Sequence, residues 1–243
     1  MCFHTAQIKT VNKLEKRYQV KLATPEVREK FDTPRYHING FAHPSLLVIP
    51  QEAPTVIAPG LWGIIPKTKK SSQINAYYKD AMRFGGGLNA QSEKLFDHFI
   101  YKQSSLTNRC LIPVTGFFEP HEYQSKKYPI HIKRKDNDVL SLAGLYTLID
   151  GIITFTILTK TASPLFAKIH NKKKRQPLLL PQDLEGAWLN PELNKKDLKA
   201  LIEVNYPENE LQTFTVSRDL FSPKVNSDTP HILNQVSYDG VAI

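Results

Sequence analysis

Tyr128-Pro129-Ile130-His131-Ile132-Lys133 alternates apolar and polar side chains, the period of two that puts one face of a strand into a core and leaves the other outside. Working outward, short apolar runs bounded by turn residues predict further strands at residues 36–39, 46–49, 61–65, 140–146, 154–160 and 211–216. Seventeen prolines spread through the chain keep these pieces short, because each removes a backbone donor and fixes φ. Helices are fewer. Residues 11–18 form an amphipathic piece, and residues 92–101 place Leu95, Phe96, Phe99 and Ile100 on one face. Ser163-Pro164-Leu165 reads as an N-cap with proline at the first helical position, opening a short helix that ends near His170. Residues 194–205 form another helix, capped by Asn194. Strands and helices intermingle without a βαβ rhythm, so the predicted class is α+β. Gly85-Gly86-Gly87 lacks the lysine and spacing of a phosphate loop and reads as a flexible turn.

The chain has 243 residues, enough for one large domain or two small ones, and 41% are apolar. Thirty-two Lys and Arg against 23 Asp and Glu leave a net charge of +9. That surplus attracts polyanions, nucleic acid before all others, although a solvated lysine surface would give the same count. No basic amphipathic helix argues for a membrane surface. No apolar run of about 18 residues and no basic-then-apolar leader is present, which predicts a cytoplasmic protein. Two cysteines, Cys2 and Cys110, are too few for a disulfide scaffold. With the eight histidines they show no paired ligand spacing, so neither a metal nor a cofactor is expected.

Five segments carry chemistry. The chain starts Met1-Cys2-Phe3-His4, and a small second residue permits removal of Met1. Cys2 would then bear its α-amine and thiol on adjacent carbons. Such a 1,2-aminothiol attacks an aldehyde through nitrogen and closes a thiazolidine through sulfur; otherwise Cys2 is a small buried hydrophobe. Leu61-Trp62-Gly63-Ile64-Ile65-Pro66 offers either a core tryptophan or an aromatic platform for a base. In Gly87-Leu88-Asn89-Ala90-Gln91-Ser92-Glu93, Asn89 either caps a helix or holds a small polar group. Glu119 ends the apolar run Arg109-Cys110-Leu111-Ile112-Pro113-Val114-Thr115-Gly116-Phe117-Phe118. It is either a surface charge at a strand end or an acid set in a desolvated pocket for proton transfer. His170 either caps a helix C-terminus or acts as an acid or base beside the run Lys172-Lys173-Lys174-Arg175.

Together these segments resemble the SOS response-associated peptidase (SRAP) family. Its Trp-Gly strand, Asn-Ala segment, Arg-Cys…Gly-Phe-aromatic-Glu segment and Ile-His segment have counterparts here in the same order, and Ala143-Gly144-Leu145-Tyr146 matches a further strand. The resemblance implies a single domain, residues 2–243, with a mainly antiparallel, barrel-like β core and short peripheral helices. It implies covalent capture of abasic sites in single-stranded DNA through a Cys2 thiazolidine, in the DNA damage response, by a monomer that joins the nucleoid when bound to DNA. It also implies roles: Cys2 supplies amine and thiol, Asn89 positions them, Glu119 assists proton transfer and His170 helps open the sugar. Trp62, Gln91, Lys172, Lys173, Lys174 and Arg175 fall on the DNA side. Gln91 replaces the family arginine, Phe3-His4 replaces Gly-Arg, and Pro120 replaces a tryptophan. A thiol (auto)peptidase using Cys2 and His170, and a non-covalent DNA-binding module, are the alternatives.

Overall fold

Five strands close on themselves. In the computed structural model of the protein, which describes residues 2–241, Ile152–Thr161, Leu140–Ile149, Arg109–Val114, Ser45–Pro50 and Val56–Trp62 pair in that order, each antiparallel to the next. Up-and-down alternation around an odd ring leaves its two ends running the same way. Val56–Trp62 therefore meets Ile152–Thr161 as a parallel neighbour, through Ile153↔Gly60 and Phe155↔Trp62. Closure removes the unpaired edges.

Barrel strands are buried on both faces. Val48, Ile112, Leu142 and Ile157 belong to one core cluster, while their chain neighbours Leu47, Leu111, Ala143 and Leu158 belong to a second. Helices Val11–Tyr18, Gln182–Leu189 and Lys195–Glu203 contribute Leu14, Trp188 and Leu198 to the second cluster. Burial on both sides explains why Arg109–Val114 reads as an unbroken apolar run and not as an alternating strand. Arg109 at its start is fully buried and pairs with no carboxylate among the described residues. Its guanidinium donates to the carbonyls of Ser105, Leu106, Trp188 and Asn190, tying the barrel to helices Tyr101–Thr107 and Gln182–Leu189.

A second sheet is antiparallel throughout, in the order Leu211–Thr215, Lys126–Arg134, Gly116–Tyr123, His4–Gln7, Arg35–Asn39. The opening hexapeptide lies in its strand Lys126–Arg134: Ile130 and Ile132 face the barrel-side cluster. The chain crosses between the sheets at Thr115, whose N–H bonds to Ala6 O at 2.8 Å.

The α+β reading with a barrel-like core holds, and the seven predicted strands all exist. Local differences have physical causes. The strand expected at 61–65 stops at Trp62, because Gly63 turns to φ 137° and its N–H crosses to Phe155 O. The helix expected at 92–101 is a 3-10 turn, Ser92–Lys94, followed after a break by helix Tyr101–Thr107. Leu95 is buried but Phe99 points outward, stacked on His98. Asn194 caps its helix as expected, accepting from Lys196 N and Asp197 N. Ser163 takes the N-cap position, but its hydroxyl goes to Glu208, and the Glu208 carboxylate accepts Leu165 N in its place. Strands His4–Gln7 and Gly116–Tyr123 and helices Ile74–Ala81 and Gln182–Leu189 were not anticipated.

Candidate functional site

Strand His4–Gln7 pairs with Gly116–Tyr123 through His4↔Phe118 and Thr5↔Phe117. Continuing that register carries the residues before His4 alongside Glu119 and Pro120. Cys2 is fully buried, with Sγ 3.9 Å from His4 O. Its carbonyl accepts a 2.9 Å hydrogen bond from Asn89 Nδ2. Glu119 is also fully buried, within its strand and paired opposite Ile130, which excludes the surface-charge reading. Burial pushes the Cys2 thiol well above its ordinary pKa, and the negative charge of Glu119 pushes it further. The thiol is therefore held protonated beside a carboxylate. Met1 lies outside the described residues.

His170 occupies the C-cap of helix Pro164–Ile169, its N–H bonding to Phe166 O. Besides taking the C-cap position, the imidazole turns inward: Nδ1 lies 3.1 Å from Glu119 Oε2 and 3.2 Å from Arg175 O. Both neighbours are acceptors, so Nδ1 carries a hydrogen.

Asn89 caps no helix. It opens the short strand Asn89–Gln91, parallel to Ile157–Thr159. Its Oδ1 is buried with no hydrogen-bond partner among the described residues, leaving an acceptor inside the site. The Gly85–Gly87 turn places it, with all three glycines at positive φ. At Gly87 (φ +69°) a Cβ would sit 2.5 Å from Ile64 O and 3.0 Å from Ile64 N. Gly87→Ala is expected to cost about 2–4 kcal/mol and to displace Asn89, whereas Gly85→Ala, where a Cβ meets nothing within 4 Å, costs only about 1 kcal/mol. Urea unfolding of both variants checks this; equal midpoints would refute it.

The residues expected on the DNA side divide. Trp62 is a correction: it is fully buried, its Nε1 donates to Leu88 O at 2.9 Å and its ring stacks on Phe155. No face is open for a base, so the core reading is the right one. Gln91 is half-buried opposite Thr159. Arg175 reaches the same Thr159 with bonds to its carbonyl and hydroxyl while pairing with Glu93. A guanidinium thus stands across from Gln91, where the family arginine is missing, but a carboxylate already holds it. Lys172 pairs with Glu122 at 2.9 Å in the open. Lys173 and Lys174 are exposed and make no ion pair among the described residues.

Sequence reasoning missed two features beside Cys2 and one on the turn before Asn89. Phe3 stacks on Phe41 with ring centroids 4.7 Å apart, on the loop whose Gly40 N–H bonds to Phe3 O. His4 Nδ1 lies 2.9 Å from His37 Nε2, and His37 Nδ1 lies 2.6 Å from Ser227 Oγ. Arg83 and Phe84 project from the turn before Asn89. Only Phe3 and His4 carried a signal, as departures from the family start. Among the described residues no cluster of three or more His, Cys, Asp or Glu could hold a metal, and no helix is long and apolar enough to cross a membrane.

The family model for SOS response associated peptidase (SRAP) matches residues 1–223. The chain belongs to the SRAP family. Among its SRAP-like relatives, abasic site processing protein YoqW of Bacillus subtilis is 30% identical over 217 residues, covering 83% of this chain and 92% of the relative. Abasic site processing protein YoaM of the same organism is 29% identical over 226 residues, covering 87% and 94%. A crystal structure of a protein from Bacteroides thetaiotaomicron superposes with a TM-score of 0.84 at 26% identity, over 97% of this chain and all of that one. The likeness to that structure therefore extends beyond the segment that the family model matches.

Proposed function

We propose that this SRAP protein processes abasic sites in DNA, and that it does so by covalent capture through Cys2 once Met1 is removed. The supporting observation is the convergence of Cys2, Asn89, Glu119 and His170, which come from four separate segments of the chain, around one buried thiol. The names of the relatives, abasic site processing proteins, point to the same substrate.

An abasic deoxyribose interconverts between a closed hemiacetal and an open aldehyde. In the proposed reaction, His170 accepts the proton of the anomeric hydroxyl as the ring oxygen gains one, which opens the sugar. The α-amine of Cys2 adds to the aldehyde carbon, and its carbonyl oxygen leaves as water to give an imine. The Cys2 sulfur then adds to the imine carbon, forming the C–S bond, while the imine nitrogen gains a proton. The sum is aldehyde plus aminothiol giving thiazolidine plus water. Because burial keeps the thiol protonated, its proton must be moved for sulfur to attack, and Glu119 is the carboxylate whose charge already bears on that thiol. Asn89 fixes the Cys2 carbonyl and so the orientation of the amine beside it. An abasic nucleotide suits this chemistry because no base need be unstacked to expose the sugar. A thiol protease needs the opposite environment, one that favours thiolate, so the peptidase reading gains less from this geometry.

The test is a denaturing gel of protein, with its terminus confirmed as Cys2 by mass, mixed with single-stranded DNA carrying one abasic position. A band of combined mass that survives denaturation is expected. Salt-sensitive binding without that band would leave only a DNA-binding module.

A further inference from the structure

Helix Pro164–Ile169, which carries His170 at its end, has six residues, too few for a helix to keep its place unaided. Strand Gly116–Tyr123 holds it. Phe117, Glu119 and His121 lie two apart on that strand and so share one face, and each meets the helix segment. The Phe117 ring stacks on Phe166, with centroids 6.0 Å apart and planes at 11°. Glu119 Oε2 lies 3.1 Å from His170 Nδ1. His121 Nδ1 donates to the carbonyls of Lys168 and Ile169, at 3.0 and 3.2 Å, in the last turn, where a helix leaves its carbonyls without partners. A fourth contact is made at the strand's edge. His4–Gln7 covers that edge only as far as Phe118, and Pro120 beyond it has no N–H. The backbone of Glu122 is then met by a side chain: Asn171 Oδ1 accepts its N–H at 3.0 Å, and Asn171 Nδ2 donates to its C=O at 2.8 Å. The carboxamide bonds the strand as a neighbouring strand residue would.

The backbone leaves helical geometry at His170, with φ −93° and ψ 57°, so the direction of its ring depends on what holds the residues on either side. Ile169, before it, is held by His121; Asn171, after it, is held by Glu122. We infer that Asn171 and His121 are positioning residues, which fix His170 against Glu119 and thereby set the rate at which the sugar opens. This rests on the proposed capture chemistry, in which His170 moves the proton of the anomeric hydroxyl. The requirement is geometric: proton transfer needs heavy atoms within about 2.6–3.2 Å of each other, and a misplacement of about 1 Å can lose about 100-fold in rate.

The test uses the full chain and two single-stranded oligonucleotides, with the rate of capture read on denaturing gels. One carries a natural abasic deoxyribose, whose ring must open before the amine can add. The other carries an aldehyde on an acyclic linker with no hydroxyl to close a ring, so its capture bypasses opening. Asn171→Ala is expected to slow capture of the first by about 10- to 100-fold and to leave capture of the second unchanged. His121→Ala should shift the two rates in the same way, to a smaller extent. Added to His170→Ala, the Asn171→Ala change should slow abasic capture no further, because a residue that acts through His170 then has nothing to act on. Melting curves establish that each variant is folded at the assay temperature, and His121→Ala carries the test if Asn171→Ala is not. Slowing of both substrates alike, slowing of neither, or a further loss on the His170→Ala background overturns the inference. A wild type that captures neither oligonucleotide would sink the capture reading itself, and the inference with it.

Discussion

Cys2→Ala will abolish the denaturation-resistant complex with abasic DNA while leaving the fold and non-covalent DNA binding in place. The alanine keeps the α-amine and loses only the sulfur, so it can still form an imine but cannot close the ring. An imine hydrolyses during denaturation; a thiazolidine does not. The expected gel therefore has a band for the wild type and none for Cys2→Ala, a loss of at least about 1,000-fold in trapped product, within the 10²–10⁴ typical of removing a proton-transfer residue. Adding borohydride to the Cys2→Ala reaction should restore a band by reducing the imine to an amine. That rescue separates the two bonds of the mechanism. A stable band from Cys2→Ala without reductant would show that sulfur is not the closing atom. Folding should survive, because deleting one buried sulfur costs about 1–2 kcal/mol.

The second large effect is acid instability well above the range where carboxylates titrate. Three histidines are kept neutral by the fold. Burial pushes His131 down to about 3, helped by Lys133. Its ring is sandwiched against Phe118 at 4.7 Å and Phe214 at 5.3 Å, and neither nitrogen has a hydrogen-bond partner among the described residues. His4 is lowered to about 3 by burial and by His37, and His37 to about 4 by burial, with Arg35 lowering it and Asp228 opposing. In the unfolded chain each titrates near about 6.5. The unfolded state thus takes up protons below that pH while the folded state does not. The stabilisation is fully present above about pH 6.5 and is lost progressively as pH falls towards 3–4, by up to about 1.4 kcal/mol per pH unit for each histidine. Between about pH 7 and pH 5 the total loss should reach about 4–6 kcal/mol, a large part of the 5–15 kcal/mol by which domains are stable. Urea midpoints measured across that range check it. His131→Leu should flatten the slope by about a third, and a midpoint independent of pH would refute the account.

Much of the candidate site was legible in the sequence, because each of its members carries a chemical signature at a recognisable place: a cysteine next to the start, a carboxylate closing an apolar run, a histidine after a Pro-opened helix. Their proximity was not legible. It depends on the register His4↔Phe118 and on the parallel pairing of Asn89–Gln91 with Ile157–Thr159, neither of which leaves a local pattern. The fold shows the same division. Strand Lys126–Arg134 announced itself by alternation, although its polar His131 proves buried against Phe118 and Phe214 instead of facing outward, whereas Arg109–Val114, buried on both faces, read only as an apolar run. The helix expected at 92–101 failed because periodic spacing of apolar residues does not require that all of them be buried together, and Phe99 is not. Trp62 shows the converse limit: an aromatic residue in a strand has the same sequence signature whether it faces a base or Phe155.

The ring of strands closes between Trp62 and Phe155, and His170 follows that closure along the chain. On a ribosome adding about 5–20 residues per second, the stretch from Cys2 to His170 takes roughly 10–30 s to make. Over that interval the proposed nucleophile exists but the residues that would enclose and govern it do not. A nascent terminus already shorn of its methionine would meet any small aldehyde in the cell without competition from DNA. Spent protein, blocked before it was ever folded, should therefore accumulate with aldehyde load, and intact mass of freshly made chains is where it would be seen.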